Sequence, residues 1–237
     1  MTPKAGKSES QNEDAAALGP KLRRVAIADG ASEGWQSGPW ARVLAAECVR
    51  TPPMPDSFAG WVTAARAKAP KTEATSWYAE EKAALGSFAT ILGVSFEDAK
   101  DGGIRWRAVA VGDSCLFHVR GEKLLARFPV ESMGDFSNRP KLVGSEVAQA
   151  VPEPDWFAGR GELNDVFYLL TDALAEWYLR ERGANARPDR ELDRVTEPSR
   201  PPAAFADWIK SLRDAKALKN DDCTVVRVEL LPLQRSP

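Results

Sequence analysis

The chain has 237 residues, 43% of them hydrophobic and 28% charged, which excludes disorder over its whole length and supplies enough apolar material for one large domain. Its 32 Lys and Arg offset 34 Asp and Glu to a formal charge of -2, which argues against a partner held chiefly through phosphate counterion release, such as DNA or RNA. No apolar run reaches 18 residues, and the polar start MTPKAGKSESQNED lacks the apolar middle of a signal peptide, so no membrane span is expected and the cytoplasm is the expected location.

In chain order, residues 1–10 read as a flexible start, residues 11–231 as a single domain and residues 232–237 as a flexible tail. Arg23 to Ala28 is an apolar β run stopped by Asp29-Gly30 and followed by a Gly- and Ser-rich stretch to Gly38. Pro39 opens a helix through Trp40, Val43, Leu44, Ala45 and Cys48, and Thr51-Pro52-Pro53 ends it. Asp56 is the expected N-cap of a second helix reaching about Lys68, and a third helix is predicted over Ser76 to Leu85. Ser87 to Phe96 fits a strand, Asp101-Gly102-Gly103 a hairpin turn, and Ile104 to Val111 and Cys115 to Val119 two further strands around Gly112-Asp113-Ser114. Residues 131–160 show no steady periodicity and read as a long irregular segment. Val166 to Leu170 is a buried strand, Ala173 to Arg182 a helix, 185–202 a Pro- and Arg-rich connector, Ala203 to Leu218 an amphipathic helix, and Cys223 to Leu230 the closing strand. Strands that arrive in runs favour an α+β fold of stacked antiparallel sheets flanked by helices.

Cys48, Cys115 and Cys223 are far apart and form no CxxC pair, so they read as reduced thiols rather than a zinc site or a disulfide. The single histidine, His118, lies inside a strand pattern, which disfavours a Ser/His/Asp triad. No GxxxxGK[ST] loop is present. What recurs is an aspartate at the boundary of an apolar strand: Asp29, Asp113, Asp172 and Asp221. Each, taken singly, is explained by turn and helix-start hydrogen bonding. Gathered on one rim of a stacked-sheet fold, they would repel one another unless cations held them. Oxygen donors without histidine or paired cysteine suit Mn²⁺ or Mg²⁺, and two such ions suit phosphoester hydrolysis.

The order of motifs resembles the metal-dependent type 2C (PPM) serine/threonine protein phosphatases over most of the chain. The resemblance is carried by Gln11-Asn12-Glu13-Asp14, Ala28-Asp29-Gly30, Val111-Gly112-Asp113-Ser114, Leu170-Thr171-Asp172-Ala173 and Asp221-Asp222-Cys223-Thr224. It implies a four-layer αββα fold of compact bacterial form, and two or three Mn²⁺ or Mg²⁺ ions. By the resemblance Asp29 bridges two ions, Asp172 and Asp221 complete one site, the Gly30 carbonyl serves the other, Glu13 and Asp14 act mainly through bound waters, and Asp113 with Asp172 holds a third. Asp29, Asp172 and Asp221 are thus the implied catalytic residues. The implied partner is a phosphoprotein substrate, with a serine/threonine kinase or its target in bacterial signalling alongside; no nucleic acid or membrane partner is expected.

The chain also departs from the family pattern. Glu9 stands where family members carry a phosphate-gripping arginine, Ala31 where animal members carry histidine, Ala31-Ser32-Glu33-Gly34 replaces Met-Gly-Gly, and Ala173, Asp222 and Gly86-Ser87-Phe88 replace a glycine, an asparagine and Gly-Thr-Thr. These departures set a second expectation beside the active phosphatase: a catalytically weak or inactive phosphatase-like module that binds a partner protein.

Overall fold

The computed structural model describes residues 1–32, 34–70, 83, 85–100, 103–136, 139–201 and 203–232. Two antiparallel sheets carry the molecule. One has five strands in the order β1 (Asp14–Gly19), β2 (Arg24–Asp29), β4 (Ile91–Asp98), β5 (Ile104–Val111) and β9 (Asp155–Gly161). The other has four, in the order β11 (Val225–Glu229), β10 (Val166–Leu170), β6 (Cys115–Arg120) and β7 (Lys123–Phe128). A two-stranded ribbon pairs β3 (Phe88–Ala89) with β8 (Val143–Gly144).

The period-2 geometry of a strand sends successive side chains to opposite faces, and here both faces of the central strands are apolar. Val25 and Ile27 of β2, Leu92, Val94 and Phe96 of β4, Leu116 of β6 and Phe167 and Leu169 of β10 fill the space between the sheets. Ala26 and Ala28 of β2 face the other way, onto helices α1 (Ser37–Arg50) and α2 (Phe58–Arg66), where Trp40, Leu44 and Trp61 are buried. Cys115 and Phe117 of β6 and Tyr168 and Leu170 of β10 face helices α3 (Asp172–Gly183), α4 (Pro188–Thr196) and α5 (Ala203–Asp214). Three apolar layers between four layers of elements make the α+β, αββα architecture. Each fully buried Leu, Ile or Phe in those layers contributes about 1.5–3 kcal/mol. No described helix is long and apolar enough to cross a membrane.

Several elements differ from the sequence expectation. Residues 2–5 of the start pair with the rest of the fold: Thr2 exchanges both main-chain hydrogen bonds with Cys223 at 2.9 Å, and the Lys4 and Ala5 amides donate to Asp222 Oδ1 and Asn220 Oδ1. The segment 131–160 contains β8 and most of β9, an edge strand whose exposed alternating residues hide the pattern. The connector 185–202 contains α4, anchored by buried Leu192 and Val195. Asp56 lies inside a 3-10 turn, Pro55–Ser57, rather than capping α2. The helix expected over Ser76 to Leu85 falls almost wholly outside the described residues, as do Asp101, Gly102 and the tail from residue 233. His118 is a core residue, stacked on Phe167 with ring centroids 4.2 Å apart and bonded through Nε2 to Asp165 Oδ2 at 2.7 Å.

Candidate active site

Antiparallel pairing of β1 with β2 sets Asp14, the first residue of β1, directly opposite Asp29, the last of β2. The turn between β5 and β6 carries Asp113 from one sheet to the other. Asp172 follows β10 as the first residue of α3, where its Oδ1 accepts the Ala173 amide at 2.6 Å, and Asp221 and Asp222 lie just before β11. Four strand boundaries and one turn therefore deliver acidic side chains to the same rim of the sandwich.

The carboxylates feel one another there. Burial raises Asp29 well above the ordinary carboxylate range, and the charges of Asp14, Asp172, Asp221 and Asp113 add to the effect. Asp14, 3% exposed, is pushed up to about 7 by burial, against the hydroxyl of Thr224 and with the charges of Asp222 and Asp172. Burial and the charge of Asp172 push Asp113 up to about 6. Asp172 is raised by burial, which outweighs the relief from the Lys219 ammonium.

Hydroxyls and amides hold the acids in place. Thr171 Oγ1 and Thr224 Oγ1 donate to Asp14 Oδ2 at 3.1 and 2.7 Å, and the Thr224 amide donates to Thr171 Oγ1 at 3.0 Å. The Asp29 amide donates to Thr90 Oγ1 at 3.1 Å, itself 3.1 Å from Ser114 Oγ. Asp222, which stands in place of an expected asparagine, accepts the amides of Lys4 and Glu13 at 2.7 Å each and so fastens the N-terminal segment to the start of β11. The Gly30 amide donates to the Glu13 carbonyl at 3.2 Å, and Glu13 Oε2 accepts the Ser32 hydroxyl at 2.7 Å.

Two lysines complete the charge pattern. Lys4 Nζ lies 3.0 Å from Asp221 Oδ1 and 2.8 Å from Ser32 Oγ, and Lys219 Nζ lies 3.4 Å from Asp172 Oδ2. Neither lysine is visible in the sequence as a site residue, because each is joined to its partner only by the fold, whereas Thr171 lies inside the Leu170-Thr171-Asp172-Ala173 segment. Thr224 has a sequence signal, since it closes the Asp221-Asp222-Cys223-Thr224 segment.

The donor set fits a hard divalent cation in chemistry and in charge. All the gathered donors are oxygens, and Asp14 Oδ1 is buried without a hydrogen-bond partner. Among the described residues, however, no three Asp, Glu, His or Cys side chains converge closely enough to hold an ion as they stand. The strand ends and the turn bring the carboxylates to one region of the rim, where their charges act on one another.

No protein-family model matches the sequence, and no curated protein matches it. Solved structures do. The serine/threonine phosphatase PstP/Ppp of Mycobacterium tuberculosis superposes with a TM-score of 0.59 at 17% identity, over 98% of this chain and 97% of that one. A structure of the PstP catalytic domain in complex with two manganese ions gives 0.62 at 17% identity, over 98% and 96%. The PPM Ser-Thr phosphatase MsPP of Mycobacterium smegmatis, in complex with cacodylate, gives 0.57 at 20% identity, over 97% and 96%. With near-complete mutual coverage in each case, the chain has the compact, bacterial-type fold of the metal-dependent type 2C (PPM) serine/threonine phosphatases.

Proposed function

We propose that the protein is a Mn²⁺- or Mg²⁺-dependent phosphatase that hydrolyses phosphoserine or phosphothreonine in a partner protein. The observation that carries this reading is the convergence of Asp14, Asp29, Asp113, Asp172 and Asp221 on one rim, close enough that four of them raise the fifth. A fold shared with solved phosphatases, one of them a manganese complex, supports it. In this reading Asp29, Asp172, Asp221 and the Gly30 carbonyl would hold two ions, Glu13 and Asp14 would support them mainly through water, and Asp113 with Asp172 would hold a third. The ions would supply a water acidified near neutral pH and a charge clamp on the phosphoryl oxygens. The chain's own part is to fix the carboxylates: Thr171 and Thr224 orient Asp14, and Asp222, by accepting the Lys4 and Glu13 amides, ties the segment before β1 to the segment before β11. With no histidine at position 31, the leaving serine or threonine oxygen takes its proton from solvent.

A second reading is favoured by one specific observation. The ammonium groups of Lys4 and Lys219 lie against Asp221 and Asp172, where they neutralise part of the charge that draws metal. A phosphatase-like module that binds a partner and turns over weakly would look the same. Titration with Mn²⁺ followed by assay on a phosphothreonine peptide separates the two: metal uptake with turnover supports the enzyme, metal uptake without turnover supports the binding module, and neither outcome survives a protein that takes up no metal.

A further inference from the structure

Beyond Glu13 and Ser32, next to the acidic rim, a cavity of about 520 Å³ opens at the N-terminal end of α1. Its charge is opposite to that of the rim. Among the described residues, Lys4, Lys7 and Arg42 line it against one carboxylate, Glu13. Glu13 is occupied by the Ser32 hydroxyl and Lys4 by Asp221, whereas the Lys7 ammonium and the Arg42 guanidinium have no side-chain hydrogen bond or ion pair among the described residues.

The end of α1 is itself built into the site. A Cβ on Gly30 would stand 2.7 Å from the Ser37 carbonyl carbon and 2.9 Å from the Glu13 carbonyl oxygen, so the first residue of the helix abuts the Asp29-Gly30 turn. A Cβ on Gly38 would stand 3.6 Å from Arg42 Nη1, which places the guanidinium one turn back, over the helix start. The first amides of a helix have no acceptor inside it and carry the positive end of its dipole. Ser37, which lines the same cavity, is fully buried, and its hydroxyl has no hydrogen-bond partner. An unpaired guanidinium fork, a free ammonium, helix-start amides and an unused hydroxyl form a donor set for a tetrahedral dianion. A cationic ligand would be repelled by the two side-chain charges.

We infer that this cavity is the phosphoryl-group pocket of the protein, with Arg42 and Lys7 supplying from α1 and the N-terminal segment the positive charge that Glu9 does not. Glu9 is exposed on the 3-10 turn Glu9–Gln11, whose next residues, Ser10 and Gln11, reach the cavity. Arg24 lies at the opposite end of β2 from Asp29 and is committed to the carbonyls of Val49 and Arg50. The substrate class rests on the phosphatase reading, but the anion pocket rests on its donors alone.

The test has two arms. In the first, orthophosphate is titrated into the EDTA-treated protein at low ionic strength, followed by calorimetry or by ³¹P line broadening. Wild type is expected to bind, Arg42→Gln to bind about tenfold more weakly, and Arg42→Lys to recover part of the loss. In the second, the Mn²⁺-loaded protein is assayed on a phosphothreonine peptide. Arg42→Gln and Lys7→Gln are expected to raise KM about three- to tenfold with kcat changed less than twofold, an effect that shrinks at high salt. No orthophosphate binding by wild type, equal binding by wild type and Arg42→Gln, or a loss confined to kcat would overturn the inference. Loss of orthophosphate binding in Arg42→Gln beside a wild type that never turns over the peptide would sustain the pocket and remove the phosphatase reading instead.

Discussion

At the scale of single residues, burial and the charges of four other aspartates act together against ionised Asp29. Removing its charge relieves that repulsion. Asp29→Asn is therefore expected to raise the melting temperature of the EDTA-treated protein by a few degrees, to abolish the rise that Mn²⁺ produces in wild type, and to lower turnover at least about a hundredfold. Thermal melts with and without Mn²⁺ check this, and an undiminished Mn²⁺ shift in Asp29→Asn would remove the residue from the metal site. Lys4 acts in the opposite sense. Its ammonium already satisfies Asp221, so an incoming ion must displace it. Lys4→Met should tighten Mn²⁺ binding about three- to tenfold, equivalent to roughly 0.7–1.4 kcal/mol, by calorimetric titration. A weakened affinity would show instead that Lys4 organises the rim rather than competing for it.

At the scale of elements, the site depends on how closely α1 approaches the β2 turn. Gly30 has no room for a side chain, because a Cβ would meet backbone atoms of Ser37 and Glu13 below 3.0 Å, and neither segment is the movable end of a side chain. Gly30→Ala should cost about 1–3 kcal/mol in denaturant titrations and push the helix start away from the rim. The strands that present Asp29, Asp113 and Asp172 were legible in the sequence because β2, β5 and β10 are buried on both faces and end at a polar stop. β1 was not legible, since half of Asp14–Gly19 is alanine, a residue depleted in strands, and only its pairing with β2 makes it one. β7 and β9 alternate exposed with half-buried positions at sheet edges and give little apolar signal. The same division holds for the site: the aspartates are local to their strand ends, whereas the bonds from Thr171 to Asp14 and from Lys4 to Asp222 span 157 and 218 residues. No local pattern announces contacts of that range.

At the scale of the whole molecule, two groups of buried acids respond to pH in opposite directions. Asp14, Asp29, Asp113 and Asp172 have folded pKa values above their unfolded ones, so the native state holds protons that the unfolded chain has already released. Their contribution to stability is complete below the unfolded value and falls as pH rises, for Asp14 between 3.8 and about 7. Asp165, fully buried at the opposite end of β10 from Asp172, is held below the usual range because Arg120, the Glu162 amide and His118 outweigh its burial. Its contribution is present above the unfolded value and is lost as pH falls through the folded one. The EDTA-treated protein should therefore melt several degrees lower at pH 7 than at pH 5, a slope that saturating Mn²⁺ flattens, as scanning calorimetry across that range would show. A melting temperature that climbs steadily from pH 5 to 7 without metal would contradict the raised pKa values. The bond from Thr224 to Asp14 across 210 residues has one further consequence, for synthesis. All five strands of the first sheet have been made by Gly161, so that half of the sandwich can pair while the ribosome is still working, yet the rim stays unfinished. Asp14 then lacks a hydroxyl partner, Asp29 lacks its neighbour Asp221, and the N-terminal segment has no Cys223 to pair with. A nascent polypeptide is in this way denied the chemistry of its own acidic rim until the segment leading into β11 has emerged.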